Sequence, residues 1–178
     1  MELWVARHGE VDWNAVGKLC GRTDLPLNAK GLAQAHTLAE MLAGEGLPFD
    51  CVIASPLKRA RQTAAIVAER LGTRLETDDR LVEQDFGIFE GQSNRDADFL
   101  HARANFAIHC QGGESALQVA QRLYNCLDAL RTRMELRRVL LVSHGSAVRI
   151  MRTYFCDMDQ ETFLQWHMEN GEVLRFQL

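Results

Sequence analysis

The chain has 178 residues, of which 47% are hydrophobic and 25% charged, and its formal net charge at pH 7 is −4. These values are ordinary for a soluble globular protein, and the length suits a single domain, residues 1–178, with a full-sized core. The acidic balance argues against a nucleic-acid-binding protein, which usually presents a basic stripe.

The N-terminal part of the chain predicts a strand, a loop and a helix. The continuously apolar run over residues 3–6 indicates a short strand that is covered on both faces, and a polar loop follows to about Pro26. Asn28 can cap a helix over 29–44, where small and apolar side chains recur on one face.

A second strand and helix follow. Residues 51–54 predict a buried strand, and Ser55 with Pro56 would supply the N-cap and the first-turn proline of a helix that runs to about Leu71. The other predicted elements are strands over 74–77, 138–142 and 173–176, a loop over 81–95, and helices over 97–109, 116–134 and 147–155. Ser115 with Gln118 predicts a capping box at the start of the helix over 116–134. Strands that alternate with helices predict a three-layer α/β domain, although they do not give the strand order.

Two of the predicted strands stop at a histidine that is followed by glycine. One apolar run leads into Arg7-His8-Gly9, and another leads into Ser143-His144-Gly145. Because ligands of open α/β sheets bind at the carboxyl ends of strands, these residues predict one site assembled from distant parts of the chain. A neutral imidazole is a competent nucleophile, and guanidinium donors suit a phosphoryl group. Taken alone, the Arg7-His8-Gly9 tripeptide would favour a hydrogen-bonded loop residue at His8.

Further residues could supply charge and a proton. Arg59 lies in an early helical turn after a strand, where free backbone N–H groups favour anions, whereas we expect Arg61 to pair at the surface or to support the site. Glu83, Asp85 and Glu90 are candidate general acids, since burial and a nearby phosphate dianion both favour a protonated carboxyl. Each of them could instead be a surface acid.

The second histidine can be interpreted in two ways. A protonated His144 would donate a hydrogen bond to a phosphoryl oxygen, and phosphoryl transfer needs mainly such positioning and charge stabilisation, without a metal. The alternative is a helix-capping turn in which Ser143 is the cap. A metal hydrolase is not favoured, because His8 and His144 lack an i, i+4 histidine partner and no other ligand cluster has the usual spacing.

Together these segments resemble the histidine phosphatase superfamily, also called the phosphoglycerate mutase-like family, and small members such as α-ribazole phosphatase are the most similar in pattern. The matching motifs occur in the family's order over nearly the whole chain. They are Arg7-His8-Gly9-Glu10, Asn14, Asp24-Leu25-Pro26-Leu27 with Gly31, Ser55-Pro56-Leu57-x-Arg59-Ala60, Glu83-x-Asp85-Phe86-Gly87, Glu90-Gly91, Gly112-Gly113-Glu114-Ser115 and Ser143-His144-Gly145.

The resemblance implies a role for each candidate. His8 would be the nucleophile that becomes phosphohistidine, and Arg7, Arg59 and His144 would complete the phosphate pocket. Glu83 would donate a proton and later act as the base that activates water. The residues implied to contact phosphate or substrate also include Asn14, Cys20, Gly21, Gly145 and Ser146. The implied fold is a mixed, mostly parallel sheet flanked by helices, and the implied reaction needs neither a metal nor an organic cofactor.

The resemblance favours a phosphomonoesterase that acts on a small phosphorylated metabolite. A phosphoglycerate mutase would need the same pocket, but normally also a longer and more basic insertion than residues 92–111 provide. A non-catalytic phosphate-binding module on the same fold would usually have lost one of the pocket residues. We therefore expect a small-molecule phosphate ester as partner, with no nucleic acid and no membrane, and the sequence leaves a homodimer open.

Two features depart from the family pattern. Val11 stands where the family usually has threonine or serine, so that a hydroxyl near the phosphate loop is missing. The segment 92–111 is short, which predicts either an open site or specificity from the segment's own polar residues. These are Asn94, Arg95, His101 and Arg103, which would otherwise form a solvated helix face.

Cysteine usage and hydropathy suggest a location. Five scattered cysteines without a CxxC motif indicate reduced thiols. The start of the chain lacks the basic and long apolar regions of a signal peptide, and no apolar run approaches the roughly 18 residues of a membrane span. We therefore expect a cytoplasmic protein.

Overall fold

The computed structural model describes residues 1–178 and contains one five-stranded sheet. Its strands are β1 (Glu2–Arg7), β2 (Cys51–Ala54), β3 (Arg74–Thr77), β4 (Arg138–Ser143) and β5 (Val173–Gln177). The order across the sheet is β3-β2-β4-β1-β5, in which only β5 runs antiparallel to its neighbour. The predicted α/β class with a mixed, mostly parallel sheet is confirmed, and every predicted strand is present.

Helices cover both faces of this sheet. The seven α-helices are α1 (Asp12–Ala15), α2 (Ala29–Gly44), α3 (Lys58–Leu71), α4 (Ala97–Ala104), α5 (Ala116–Arg131), α6 (Gly145–Arg152) and α7 (Gln160–Gln165). Two short 3₁₀ helices lie at Asp79–Leu81 and Gly87–Phe89. None of the helices is long and apolar enough to cross a bilayer.

The apolar runs of the central strands supply two cores at once. Successive strand residues point to opposite faces, so a strand covered on both sides is apolar at every position. Trp4 and Leu140 are fully buried against α2 and α3, whereas Leu3 and Leu141 are fully buried against α5 and α6. This double coverage explains why these strands lack the polar alternation of a half-exposed sheet.

The register of the two central strands brings the two histidines together. Arg7 pairs with Ser143 at the last position of β1 and β4, which are adjacent and parallel. The N–H of His8 donates to the carbonyl of Ser143 at 3.0 Å. Since each histidine directly follows its strand, both lie at the carboxyl edge of the sheet.

Two predicted caps are confirmed and one is wrong. The side chain of Asn28 accepts a hydrogen bond from the N–H of Gly31 at the start of α2, and Ser115 forms the predicted capping box of α5. The N-cap of α3, however, is Leu57 and not Ser55. Leu57 is extended, so the helix begins two residues later than predicted and the Ser55 hydroxyl accepts the N–H of Leu57 at 3.3 Å.

Helix ends were the least accurate part of the prediction. Asn105 adopts an extended conformation and ends α4 at Ala104, so 105–109 are not helical. α5 and α6 also end earlier than predicted, because i, i+3 hydrogen bonds tighten their last turns. α6 begins two residues before the predicted start, and α1 and α7 were not predicted.

Candidate active site

A cleft of about 200 Å³ opens at the carboxyl ends of β1 and β4. Arg59, His144 and Gly21 do not line the cleft but are buried beside it. The predicted site residues that do line the cleft are Arg7, His8, Asn14, Cys20, Glu83, Gly145 and Ser146. The structure therefore gathers the predicted residues in one region, with some on the wall of the cleft and others behind it.

The His8 ring is held through both of its nitrogens. Nδ1 lies 2.6 Å from the carbonyl oxygen of Gly9, which can only accept, so Nδ1 carries the proton. Nε2 therefore has a lone pair, to which the Nε–H of Arg59 donates at 3.2 Å. Burial, followed by the positive charges of Arg59 and Arg7, lowers the pKa of His8 well below 6.5. The ring is consequently neutral at pH 7, the form in which an imidazole is nucleophilic.

Arg59 is fully buried and fixes a loop against His8. Its Nη1 donates to the carbonyl of Thr23 at 2.9 Å, and its Nη2 donates to the carbonyls of Cys20 and Gly21 at 3.2 and 2.7 Å. These bonds account for the position of Arg59 behind the cleft. Arg61, in contrast, is exposed on α3 and does not line the cleft.

His144 is fully buried next to His8, with ring centroids 5.0 Å apart. Its Nε2 lies 2.7 Å from the hydroxyl of Ser55, while its Nδ1 is buried without a hydrogen-bond partner. Burial, followed by the charge of Arg59, lowers the pKa of His144 well below 6.5. The protonated ring expected from the sequence would thus need an anion beside it. His144 itself is the N-cap of α6, so Ser143 is not the cap.

Glu83 is the candidate acid that lies in the cleft. Its carboxylate is 5% exposed and binds the N-terminus of α6, where Oε2 accepts the N–H of Ser146 at 2.9 Å and Oε1 accepts the N–H of Ala147 at 2.9 Å. Oε1 also accepts the N–H of Gln84 at 2.8 Å. Since each carboxylate oxygen can accept two hydrogen bonds, Oε2 has one position left.

The other two candidate acids have structural contacts outside the cleft. Asp85 accepts the N–H of Gly87 at 2.9 Å. Glu90 accepts hydrogen bonds from Gly21, Arg22 and Thr23, and so fixes the same loop that Arg59 binds. Residue chemistry alone left these three carboxylates equivalent, and the structure places in the cleft only Glu83, the one that the resemblance implied.

Arg122 was not identified from the sequence, yet it holds the segment that carries Glu83. Its Nη1 donates to the carbonyls of Arg80 and Val82 at 2.7 and 2.6 Å, and its Nη2 donates to that of Glu83 at 3.1 Å. Nε and Nη2 also bind the carboxylate of Glu114 at 2.9 and 3.1 Å. No motif marks this residue, because its role depends on the packing of α5 against the 80–83 segment.

Arg7 reaches the cleft beside a glycine. Its Nη1 donates to the carbonyl of Met168, and its Nε is buried without a partner. A Cβ at Gly145 would lie 3.4 Å from the Nε and Cζ atoms of Arg7, so glycine leaves room for the guanidinium. The unpartnered donor is available to an anion in the cleft.

The two departures from the family pattern have distinct structural outcomes. Val11 is fully buried, and its N–H donates to Oδ1 of Asn14 at 3.3 Å, so its apolar side chain contributes to the core instead of the cleft. Of the polar residues in 92–111, Asn94 and Arg103 line the cleft. Arg95 and His101 are exposed and do not line it. The cleft also contains Arg149 and His167, which sequence reasoning missed.

Potential metal ligands and thiols are dispersed through the molecule. No group of three or more histidine, cysteine, aspartate or glutamate side chains is arranged to hold a metal ion. All five cysteines are unpaired, and Cys20 lines the cleft.

Comparisons with known proteins identify the family of this chain. The family model described as "Histidine phosphatase superfamily (branch 1)" matches residues 3–178. A Yersinia pestis (strain Pestoides F) protein named "Probable phosphoglycerate mutase GpmB" is 34% identical over 158 residues, which cover 83% of this chain and 71% of that protein.

Solved structures of phosphatases have the same fold. The α-ribazole phosphatase from Shigella flexneri superposes with a TM-score of 0.82 at 26% identity, covering 98% of this chain and 89% of that one. A mycobacterial glucosyl-3-phosphoglycerate phosphatase, solved in complex with VO3, gives a TM-score of 0.86 at 27% identity, covering 98% of this chain and 91% of that one. The sheet order and the flanking helices are thus those of phosphoglycerate mutase-like proteins.

Proposed function

This chain belongs to the histidine phosphatase superfamily, and we propose that it is a phosphomonoesterase that hydrolyses a small phosphorylated metabolite through a phosphohistidine on His8. The observation that carries this proposal is the state of the His8 ring. It is buried and neutral, its Nδ1–H is bound to Gly9, its Nε2 has a lone pair that accepts from Arg59, and the residue lines a cleft that Arg7 also lines. We assign the activity to one domain, residues 1–178.

In the first step, Nε2 of His8 attacks phosphorus and displaces the alkoxide of the ester. The Nε–H of Arg59 donates to Nε2 at 3.2 Å, and it would instead donate to a phosphoryl oxygen as the new N–P bond forms. The unpartnered Nε–H of Arg7 would donate to a second oxygen. A phosphoryl dianion would raise the pKa of His144 and allow its ring to donate as well. Catalysis would then consist of nucleophilic attack, positioning and charge stabilisation.

Glu83 would act as general acid in the first step and as general base in the second. Its carboxyl would protonate the departing alkoxide, which leaves as an alcohol. In the second step the Glu83 carboxylate would remove a proton from water, the water oxygen would attack phosphorus, and His8 would depart with its electron pair as inorganic phosphate forms. The free position on Oε2 is compatible with this cycle.

A phosphoglycerate mutase-type phosphotransferase is the second candidate. The 34% identical GpmB protein, which is named as such a mutase, favours it. A mutase must keep water from the phosphoenzyme, whereas segment 92–111 is short and much of it is exposed. Isomerisation of phosphoglycerate, primed with bisphosphoglycerate, would identify this activity. A non-catalytic phosphate-binding module is less consistent with the chain, since the proposed nucleophile, acid and arginines are all present.

The test is a phosphatase assay on phosphorylated metabolites and p-nitrophenyl phosphate, with EDTA present. We expect hydrolysis that survives EDTA and falls at least about 10³-fold in His8→Ala, because the nucleophile is removed. His36→Ala, at an exposed position on α2, is the matched control and should keep wild-type activity. Full activity in His8→Ala would refute the assignment of the nucleophile.

Rapid quenching tests the intermediate directly. The wild-type enzyme should yield an acid-labile, alkali-stable phosphoprotein during turnover, and His8→Ala should yield none. If the wild type turns over without any phosphoenzyme, direct attack by water becomes the better mechanism.

A further inference from the structure

Two arginines line the cleft besides Arg7, and neither forms an ion pair with an acidic side chain. Arg149 on α6 is 8% exposed, its Nη2 donates to the hydroxyl of Ser146 at 3.2 Å, and its Nε is buried without a partner. Arg103 on α4 donates through Nη2 to the carbonyl of Leu164, and its Nε is likewise buried and unpartnered. Neither side chain belongs to any of the ion pairs of the molecule.

A buried guanidinium without a carboxylate is energetically unfavourable. Charged side chains are rarely buried unless they are paired, because the loss of hydration must be offset. Burial, followed by repulsion from Arg103, lowers the pKa of Arg149 to about 9. Stacking offsets part of the cost, since the guanidinium lies 5.4 Å from the centroid of the Phe163 ring. At pH 7 Arg149 nevertheless remains a buried cation with an unused donor.

The position of this pair suggests what it would bind. Arg103 and Arg149 line the same cleft as His8 and Glu83. Arg7 and Arg59 already flank His8, and their two positive charges match a phosphoryl dianion. Arg103 and Arg149 therefore bring more positive charge than that group requires, and their forked donors suit a carboxylate or a phosphoryl group.

Resting on the proposed function, we infer that Arg103 and Arg149 form a subsite for a second anionic group of the substrate. The substrate would then carry a carboxylate or a second phosphoryl group in addition to the phosphate ester that lies at His8. This assigns a chemical class to the substrate and a specificity role to one residue of the 92–111 segment.

Isothermal titration calorimetry in a His8→Ala background tests the subsite without turnover. The matched ligands are 3-phosphoglycerate and glycerol 3-phosphate, which share a carbon skeleton and differ in a carboxylate. We expect the first to bind about 10- to 100-fold more tightly, the range of a charge-assisted pair. A third ligand, 1,3-propanediol bisphosphate, distinguishes the two sources of charge: if it binds most tightly, the second group is a phosphoryl.

Arginine variants locate the preference. In His8→Ala/Arg149→Met the preference for 3-phosphoglycerate over glycerol 3-phosphate should fall to about threefold or less, since the guanidinium donors of Arg149 are gone. His8→Ala/Arg152→Met is the matched control, because Arg152 lies one turn farther along α6, stacks on Trp166 at 4.9 Å and does not line the cleft. Arg103 lies on a different helix, so the affinities of His8→Ala/Arg103→Met for the same ligands test the subsite even if the Arg149 variant does not fold.

The inference is overturned if neither two-anion ligand is preferred, or if the preference survives both Arg149→Met and Arg103→Met. Failure of the proposed function has a different signature. In that case wild-type protein would not hydrolyse phosphate monoesters, whereas the binding preference of the His8→Ala protein could still be measured.

Discussion

Replacing Glu83 with glutamine removes one acceptor from the start of α6. In the native protein Oε1 accepts the N–H groups of Gln84 and Ala147, and Oε2 accepts that of Ser146. Glutamine can keep its carbonyl oxygen at the first position, but its amide NH₂ then faces the N–H of Ser146. Two donors would oppose each other in a buried place, and the negative charge at the helix N-terminus would be lost.

The size of the effect follows from these contacts. A buried hydrogen bond to a charged group contributes about 1.5–3 kcal/mol, and a negative charge at a helix N-terminus contributes about 0.3–1 kcal/mol. The free energy of unfolding should therefore fall by about 2–4 kcal/mol. In a chain of this size each kcal/mol corresponds to about 2–4 °C in Tm, so Tm should fall by about 5–15 °C.

Differential scanning calorimetry measures the loss, and Glu135→Gln is the control. Glu135 is exposed on the surface, and its substitution should change stability by less than about 0.5 kcal/mol. An unchanged Tm in Glu83→Gln would refute the contact between this carboxylate and α6.

The same variant tests the proposed acid. Glu83→Gln should lose more activity on alkyl phosphates than on p-nitrophenyl phosphate, because only the alkoxide needs a proton to leave. With the aryl ester it should also accumulate phosphoenzyme, since no base activates water. Equal losses on both esters would refute the acid role.

Two further predictions concern stability. As the pH falls from 6.5 to 5, the free energy of unfolding should decrease by about 1–2 kcal/mol for each of His8 and His144. Both histidines become protonated near pH 6.5 in the unfolded chain, whereas burial keeps their pKa values far lower in the folded protein. Urea unfolding measures this decrease, and a free energy of unfolding that does not change with pH would show that the rings are already charged in the folded state. The Cβ added by Gly9→Ala would lie 2.3 Å from the carbonyl oxygen of Gly31, so this variant should lower the free energy of unfolding by about 1–3 kcal/mol. The Cβ added by Gly44→Ala would have no atom within 4 Å, so this variant should raise the free energy of unfolding by about 0.5–1 kcal/mol. Thermal melts of the two variants that shift in the same direction would contradict this contrast.

Local signals in the sequence predicted much of the fold. The two strands that end at His8 and His144 are continuously apolar, and parallel strands have their carboxyl ends at one edge, so the meeting of these histidines could be expected. Asn28 and Ser115 were recognised as caps because a cap depends on residues only three apart. Helix ends were less accurate, since the tightening of a last turn depends on what the turn packs against.

The remaining features depend on tertiary contacts that no local pattern records. The order of the strands and the complete burial of Arg59 are set by packing between distant segments. Arg122 and Arg149 lie on helices whose sequence gives no reason to prefer them to a solvated arginine. The family motif singled out Glu83, but the contact of its side chain with the start of α6, 63 residues away in the sequence, follows from no local pattern.

The central position of β1 has a consequence for how the protein folds. Both neighbours of β1 in the sheet, β4 and β5, come from the far end of the chain. During synthesis β1 therefore has no strand to pair with in the sheet until β4 has been made. Non-local pairing of this kind slows folding and exposes intermediates to aggregation. His8, which follows β1, acquires its contact with Ser143 only once β4 is paired with β1.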